Sequence, residues 1–211
     1  MQALLGLRSY QTAWCWLQKL RTCTVFPDRS KLSGSVEVDE CFFGGAHSGN
    51  RGRGAEHKCK VAIAVERKRH KLGRLRMQVI ECCSANELTP FVKTNITAGS
   101  QVTTDSWGAY NGLKNEGYSH KAIVQSKTAD ADKESVLPGV HLETSLAKRV
   151  MLGTFQGRFD PQYLQRYLDE YVFRFNRRTC KSPGKRFWRI MQQAAQSAPV
   201  PLKNLVLEPV A

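Results

Sequence analysis

The sequence predicts an α/β protein in which a mixed β-sheet is flanked by helices. Three observations support this class. Strand-like and helix-like segments alternate along the chain, in the order three strands, helix, strand, helix, strand and then helices. The run from Lys60 to Arg67 is almost continuously apolar, which is typical of a strand buried on both faces. Apolar residues make up 41% of the 211 residues, enough to form a core.

The first half of the chain contains one helix and three strands. Apolar residues recur at helical spacing between residues 9 and 21, where Ser9 is a suitable N-cap. A strand follows at about 35–43, and then a polar, glycine-rich loop that extends to residue 58. The run 60–67 and the alternating run 75–79 predict a hairpin, with Gly73 at its tight turn.

The second half begins with a helix that Ser84 caps and that closes near Gly99. A strand that ends at Asp105 comes next, then a short helix at 109–116 and a short strand at 120–124. Residues 126–139 are polar and predict a loop. Helical patterns then cover 141–151, 160–176 and 184–197.

The charge balance favours a polyanionic partner. The formal net charge is +14 and the pI is near 9.7, values that are unusual for an enzyme acting on small molecules. Nucleic acid is the first candidate, whereas a solvated basic surface or a ribosome-associated protein is the alternative.

The cysteines and the apolar segments indicate the compartment. The seven cysteines form no CxxC pair and no closely spaced framework, so neither a zinc ribbon nor a disulfide scaffold is expected. The sequence contains no run of about 18 apolar residues, so no membrane span is expected. The N-terminus lacks a signal-peptide pattern. We therefore expect a soluble protein with reduced thiols in a cytoplasm.

Two aspartates close strand-like runs at distant points in the chain. Asp39 follows Val36 and Val38 and precedes Gly44 and Gly45, and Asp105 follows a run that contains Val102. Either aspartate alone could simply form a turn. Brought together, the two carboxylates would make an oxygen-rich site for Mg²⁺, and two such ions would suit phosphoryl transfer.

In several ordered motifs the chain resembles bacterial insertion-sequence transposases of the DDE superfamily, in the group with an ISXO-type transposase domain. The likeness runs from about Leu5 to Pro201. The matching segments are Gly34–Glu40 with Gly44 and Gly45, Thr104–Trp107 with Tyr110, Gly153–Gly157, and Tyr167–Arg178. The resemblance implies a ribonuclease-H-like fold, two catalytic Mg²⁺ or Mn²⁺ ions, and cutting and joining of transposon DNA ends.

The third site residue departs from the superfamily pattern, which places a Glu seven residues before a Lys or Arg. Here His141 lies seven residues before Lys148, so that both share one helix face with Ser145. We therefore assign His141 as the third catalytic and metal-binding residue, with Asp39 and Asp105. Two alternatives stay open: Glu143, which faces away from His141, binds the metal while His141 caps or packs the helix start, or the copy is inactive.

Several basic residues are candidates for contact with DNA. Lys148 could reach a phosphate beside the metals, or it could be a solvated lysine. Arg51 and Arg53 lie in the glycine-rich loop and could follow a DNA backbone through charge alone. A helix end carries Arg174, Arg177 and Arg178, which suit either the helix C-terminus or phosphate.

The resemblance also implies the domain organisation and the partners. Residues 1–30 would be the remnant of a helix-turn-helix DNA-binding region, 31–200 the catalytic domain, and 201–211 a tail. The partners would be terminal inverted repeats and target DNA, bound by a homodimer or larger assembly near the bacterial nucleoid. An inactive DNA-binding remnant and a ribonuclease-H-like nuclease are the alternative functions.

Overall fold

The computed structural model describes residues 2–44, 58–69, 71–124, 137–156 and 159–206. The chain forms two compact units, one of Ser30–Pro161 and one of Met1–Arg29 with Gln162–Ala211. The predicted domain boundaries at residues 30 and 200 stay a prediction. Within the described ranges, no helix combines the length and the apolarity needed to cross a bilayer.

The unit Ser30–Pro161 is built on one five-stranded sheet with strand order β3-β2-β1-β4-β5. Its elements in chain order are β1 (Ser35–Phe43), β2 (Cys59–Lys68), β3 (Lys71–Ile80), α2 (Ala85–Asn95), β4 (Gln101–Asp105), a 3-10 helix (Gly108–Lys114), β5 (Ser119–Ile123) and α3 (Pro138–Phe155). β2 runs antiparallel to β1 and β3, whereas β1, β4 and β5 are parallel. This mixed sheet with flanking helices is the expected ribonuclease-H-like fold.

The two faces of the sheet are covered by different helices. One face packs on α2 and the 3-10 helix, around a core that includes Val36, Val38, Leu88, Phe91 and Tyr110. The other face carries α3, which packs on β1 and β2. β2 is buried on both faces, because Val61 to Val65 are fully inaccessible. The prediction of an interior strand from its continuous apolar run is therefore confirmed.

Two local predictions need correction. Gly73 lies inside β3 and not at the hairpin turn, which falls beside Arg69, whose φ is 49°. A Cβ on Gly73 would come within 2.6 Å of the Glu66 Cβ and 2.7 Å of its Oε2, so glycine is needed there to make room for a buried carboxylate. The predicted loop 126–139 extends too far, because α3 already begins at Pro138. Proline suits the first turn of a helix.

The unit Met1–Arg29 with Gln162–Ala211 is helical. It contains α1 (Tyr10–Thr22), α4 (Leu164–Asn176) and α5 (Pro183–Gln196), with 3-10 helices at Pro161–Tyr163 and Leu202–Asn204 beside them. The predicted cap of α1 is confirmed, because the Ser9 hydroxyl accepts a hydrogen bond from the Gln11 amide at 3.2 Å. α1 packs against α4, and Arg21 is paired with Glu170 at 2.9 Å.

Candidate metal centre

The two predicted site aspartates lie on neighbouring strands of the sheet. Asp105 ends β4 as predicted, whereas the prediction that Asp39 closes its strand is wrong, because Asp39 lies in the middle of β1 and stays paired with β2. β1 and β4 pair in parallel with Val36 opposite Val102 and Glu37 opposite Thr103. The pairing ends at Glu37 and Thr103; continued by two residues along both strands, this register would set Asp39 opposite Asp105. Adjacent strands lie about 4.8 Å apart, and residues in register point to the same face. In that register the two carboxylates would face the same side of the sheet.

Each aspartate is held by a nearby backbone amide. Asp39 Oδ1 accepts a hydrogen bond from the Glu40 amide at 2.8 Å, and Asp105 Oδ1 accepts one from the Trp107 amide at 3.0 Å. The Trp107 indole in turn donates to the Cys83 carbonyl at 2.8 Å, although 40% of the residue stays exposed. This tryptophan ties the segment behind Asp105 to the start of α2.

α3 brings His141 to the same place. The helix from Val140 to Lys148 and the strand from Glu37 to Cys41 each span about 12–13 Å. The two segments meet in chain order: Val140 contacts Glu37, His141 lies near Asp39, and Lys148 acts on Cys41. The His141 Nε2 lies 3.6 Å from Asp39 Oδ2, and 46% of the imidazole is exposed. The imidazole therefore has both a neighbour among the predicted site residues and access to solvent.

Glu143 occupies a different face of the same helix. It is 1% exposed and belongs to the buried stripe of α3 with Val140 and Ala147. The prediction that Glu143 faces away from His141 on this helix is therefore confirmed. Which of the two would ligate a metal stays a prediction.

Glu37 fixes the start of α3 on the sheet, and the sequence reasoning missed it. Its Oε2 accepts a hydrogen bond from the Val140 amide at 3.0 Å, and its Oε1 is paired with Arg67 Nε at 3.2 Å. The N-cap residue Leu137 has no polar side chain, so this carboxylate supplies the acceptor that the helix start needs. A Cβ on Gly139 would come within 2.9 Å of the same Oε2. The signal was present, because residues two apart in a strand share a face, and Glu37 lies two before Asp39.

Glu40 points to the opposite face of the sheet, as predicted for the residue after Asp39. It is 8% exposed and lies near the buried Tyr110. Burial raises the pKa of Tyr110 well above its usual value, and the charges of Glu40, Asp39 and Asp105 raise it further.

Lys148 lies close enough to β1 to act on it electrostatically. Burial raises the pKa of the Cys41 thiol to about 12, while a hydrogen bond with Thr144 and the charge of Lys148 oppose that rise. At neutral pH, Cys41 is therefore a protonated thiol in the core. The ammonium group of Lys148 brings positive charge to the side of α3 that carries His141.

The donor types suit a divalent ion. Two carboxylates and an imidazole provide oxygen and nitrogen ligands of the kind that Mg²⁺ and Mn²⁺ accept, with nitrogen favouring Mn²⁺. Asp39 and His141 are near enough to share one ion. In the part of the chain that the structure describes, no group of three or more His, Cys, Asp or Glu side chains is close enough together to hold a metal.

The structure bears differently on the other residues predicted to contact DNA. Arg51 and Arg53 fall outside the described residues. Arg174 is paired with Glu170 at 3.4 Å, so part of its charge is neutralised. The guanidinium carbons of Arg177 and Arg178 each lie 3.9 Å from a ring centroid, of Phe173 and Phe175 respectively. Their role in DNA binding stays a prediction.

Comparison with known proteins identifies one matching family. Residues 31–176, more than half of the chain, match the family described as the ISXO2-like transposase domain. The comparison with curated proteins found no match. Among solved structures, the catalytic core domain of BIV integrase is 11% identical over 78% of this chain and 97% of that chain, with a TM-score of 0.44. The protein in the Mos1 strand transfer complex is 13% identical over 85% of this chain and 59% of that chain, with a TM-score of 0.35.

Proposed function

Because the chain belongs to the ISXO2-like transposase domain family, whose members act in DNA transposition, we propose that it is a metal-dependent DDE-type transposase. It cleaves DNA at the ends of an insertion sequence and joins the freed 3′-hydroxyl to target DNA. The observation that carries this proposal is the distance of 3.6 Å between His141 Nε2 and Asp39 Oδ2, on a strand that pairs in parallel with the strand that Asp105 ends.

The residues divide the work between holding ions and positioning DNA. Asp39, Asp105 and His141 would hold two Mg²⁺ or Mn²⁺ ions. When bound, such ions activate the attacking oxygen and stabilise the leaving oxygen in phosphoryl transfer. Lys148 would bind a phosphate next to the scissile one.

Two residues outside the ligand set hold the site in shape. Glu37 binds the first turn of α3 and so keeps His141 over β1. The Trp107 amide fixes one oxygen of Asp105. Both are positioning residues, since neither would touch the reacting phosphate.

The partners follow from the same chemistry. DNA ends with terminal inverted repeats and a target duplex would both have to reach the site, and a dimer or larger assembly would bring two ends together. Arg51, Arg53, Arg174, Arg177 and Arg178 would add phosphate contacts. The high net charge of +14 supports a polyanionic substrate.

Nicking of a supercoiled plasmid in Mn²⁺ or Mg²⁺ tests the proposal. Asp39→Asn and Asp105→Asn should abolish nicking, whereas Glu81→Gln, which alters an exposed carboxylate at the end of β3, should not. Wild type and Asp39→Asn that nick at the same rate would refute the proposed chemistry. DNA carrying the inverted repeats that flank the gene then tests joining.

A second candidate is an inactive DNA-binding remnant, which the imidazole in place of the usual carboxylate favours. His141→Glu distinguishes the two. If the site is active, this variant should shift the preference from Mn²⁺ towards Mg²⁺, because it replaces nitrogen by oxygen. If wild type binds DNA but shows no nicking with either ion, the remnant is the correct description.

A further inference from the structure

The chain after Glu170 is strongly basic, and most of it lies outside the family match. Between Glu170 and Glu208 there are eight basic residues and no acidic residue. The match to the transposase domain ends at residue 176, whereas α5 begins at Pro183. Family membership therefore assigns no role to α5.

α5 presents an aromatic residue at the centre of its solvent-facing side. Trp188 is 63% exposed and the adjacent Phe187 is 60% exposed. At helical spacing, Lys185 and Gln192 lie three residues before and four residues after Trp188, on the same side of the helix. Gln193 is buried on the other side. A large indole is normally buried, so its position in the middle of an exposed polar face needs an explanation.

The cations around this face are not matched by carboxylates. Arg177 lies near Arg189, and its pKa is lowered first by burial and then by the charge of Arg189. Arg189 donates a hydrogen bond to the neutral Gln192 at 3.3 Å. Among the residues that the structure describes, no carboxylate forms an ion pair with Lys185, Arg177 or Arg189. Two neighbouring guanidinium groups of this kind suit a phosphate, which would relieve their repulsion.

From these observations we propose that the exposed face of α5 binds single-stranded DNA. The Trp188 indole stacks on an unpaired base, and Lys185 and Arg189 contact the flanking phosphates. Sites of this type combine positive charge that follows the backbone with aromatic rings that accept any base. A second copy of the chain is a poorer occupant, because two faces with the same positive charge repel each other and lysine is depleted in protein interfaces.

Binding of a fluorescein-labelled oligo(dT) of about twenty nucleotides to the full chain, measured by anisotropy in EDTA, tests this inference. Trp188→Ala should weaken binding about five- to a hundredfold, whereas Trp188→Phe should keep most of the affinity because it retains a ring. The double variant Lys185→Gln with Arg189→Gln should reduce the slope of log affinity against log salt by about 1.4, which corresponds to two phosphate contacts.

Trp16→Ala is the matched control, because Trp16 is 55% exposed on α1 in the same unit. It should leave oligo(dT) affinity unchanged. The inference is wrong if Trp188→Ala binds oligo(dT) as tightly as wild type, or if an unlabelled duplex competes as well as the single strand. It is also wrong if Trp188→Ala converts a dimer to a monomer in sedimentation without a change in affinity. EDTA removes metal chemistry from the assay, so this result is independent of the proposed transposase reaction.

Discussion

Replacing Glu37 tests whether one buried carboxylate holds α3 on the sheet. The Glu37 side chain is 9% exposed, and it serves both the Val140 amide and Arg67. A hydrogen bond to a charged group contributes about 1.5–3 kcal/mol to stability. Here the acceptor also places a negative charge at the N-terminus of α3, which is favourable. Glu37→Gln keeps one acceptor oxygen but loses the charge, so we expect a loss of about 1–2 kcal/mol in the free energy of unfolding.

Glu37→Ala should cost more, because it leaves the buried Val140 amide without an acceptor and Arg67 without its carboxylate. A loss of about 3–4 kcal/mol is expected. Arg67 is 30% exposed and can recover some hydration, so the upper limit for a buried pair is not reached. Plasmid nicking should fall further than stability alone explains, since the first turn of α3 carries His141.

Urea unfolding and amide hydrogen exchange measure these effects separately. Urea unfolding gives the change in free energy, and exchange of peptides that cover residues 137–152 reports on α3 alone. Glu81→Gln is the control for removal of an exposed carboxylate. If Glu37→Ala unfolds within about 0.5 kcal/mol of wild type and α3 exchanges at the wild-type rate, the carboxylate does not hold the helix and the reasoning is refuted.

Two further predictions concern the buried carboxylate of Glu66 and the half-buried carboxylate of Asp169. Gly73→Ala should destabilise the Ser30–Pro161 unit by about 1–3 kcal/mol in urea unfolding, because its Cβ would overlap Glu66; a neutral result would show that β3 shifts freely. Burial raises the pKa of Asp169 from 3.8 to about 6, against a hydrogen bond from Gln165 and the charge of Arg29. The folded state therefore binds this proton more tightly than the unfolded chain, and the carboxyl lowers stability as the pH rises through about 4 to 6. Asp169→Asn should therefore gain stability over wild type at neutral pH but not at pH 3. In urea unfolding, this gain should be at most about 2–3 kcal/mol larger at neutral pH, and parallel pH profiles of the two proteins would contradict the prediction.

Local patterns were sufficient to find the secondary structure. Period-two and continuous apolar runs predicted β1 and β2 nearly to the residue, and helical spacing with a serine cap predicted α1. Such patterns depend on which side of an element is buried, a property that each segment carries by itself. Gly73 was misplaced because glycine is used both at turns and where a neighbour fills the space of a Cβ, and only the position of Glu66 distinguishes the two.

By itself, the sequence determined that Asp105 ends a strand and that His141 and Lys148 share a helix face, since both follow from the pattern along one element. Only the tertiary structure decided that β1 and β4 are parallel neighbours, with Glu37 opposite Thr103, and that His141 lies 3.6 Å from Asp39. It alone revealed that Glu37 holds the start of α3 and that Glu143 is buried. The physical reason is that strand pairing and helix docking depend on how well distant surfaces pack together, which no single segment encodes.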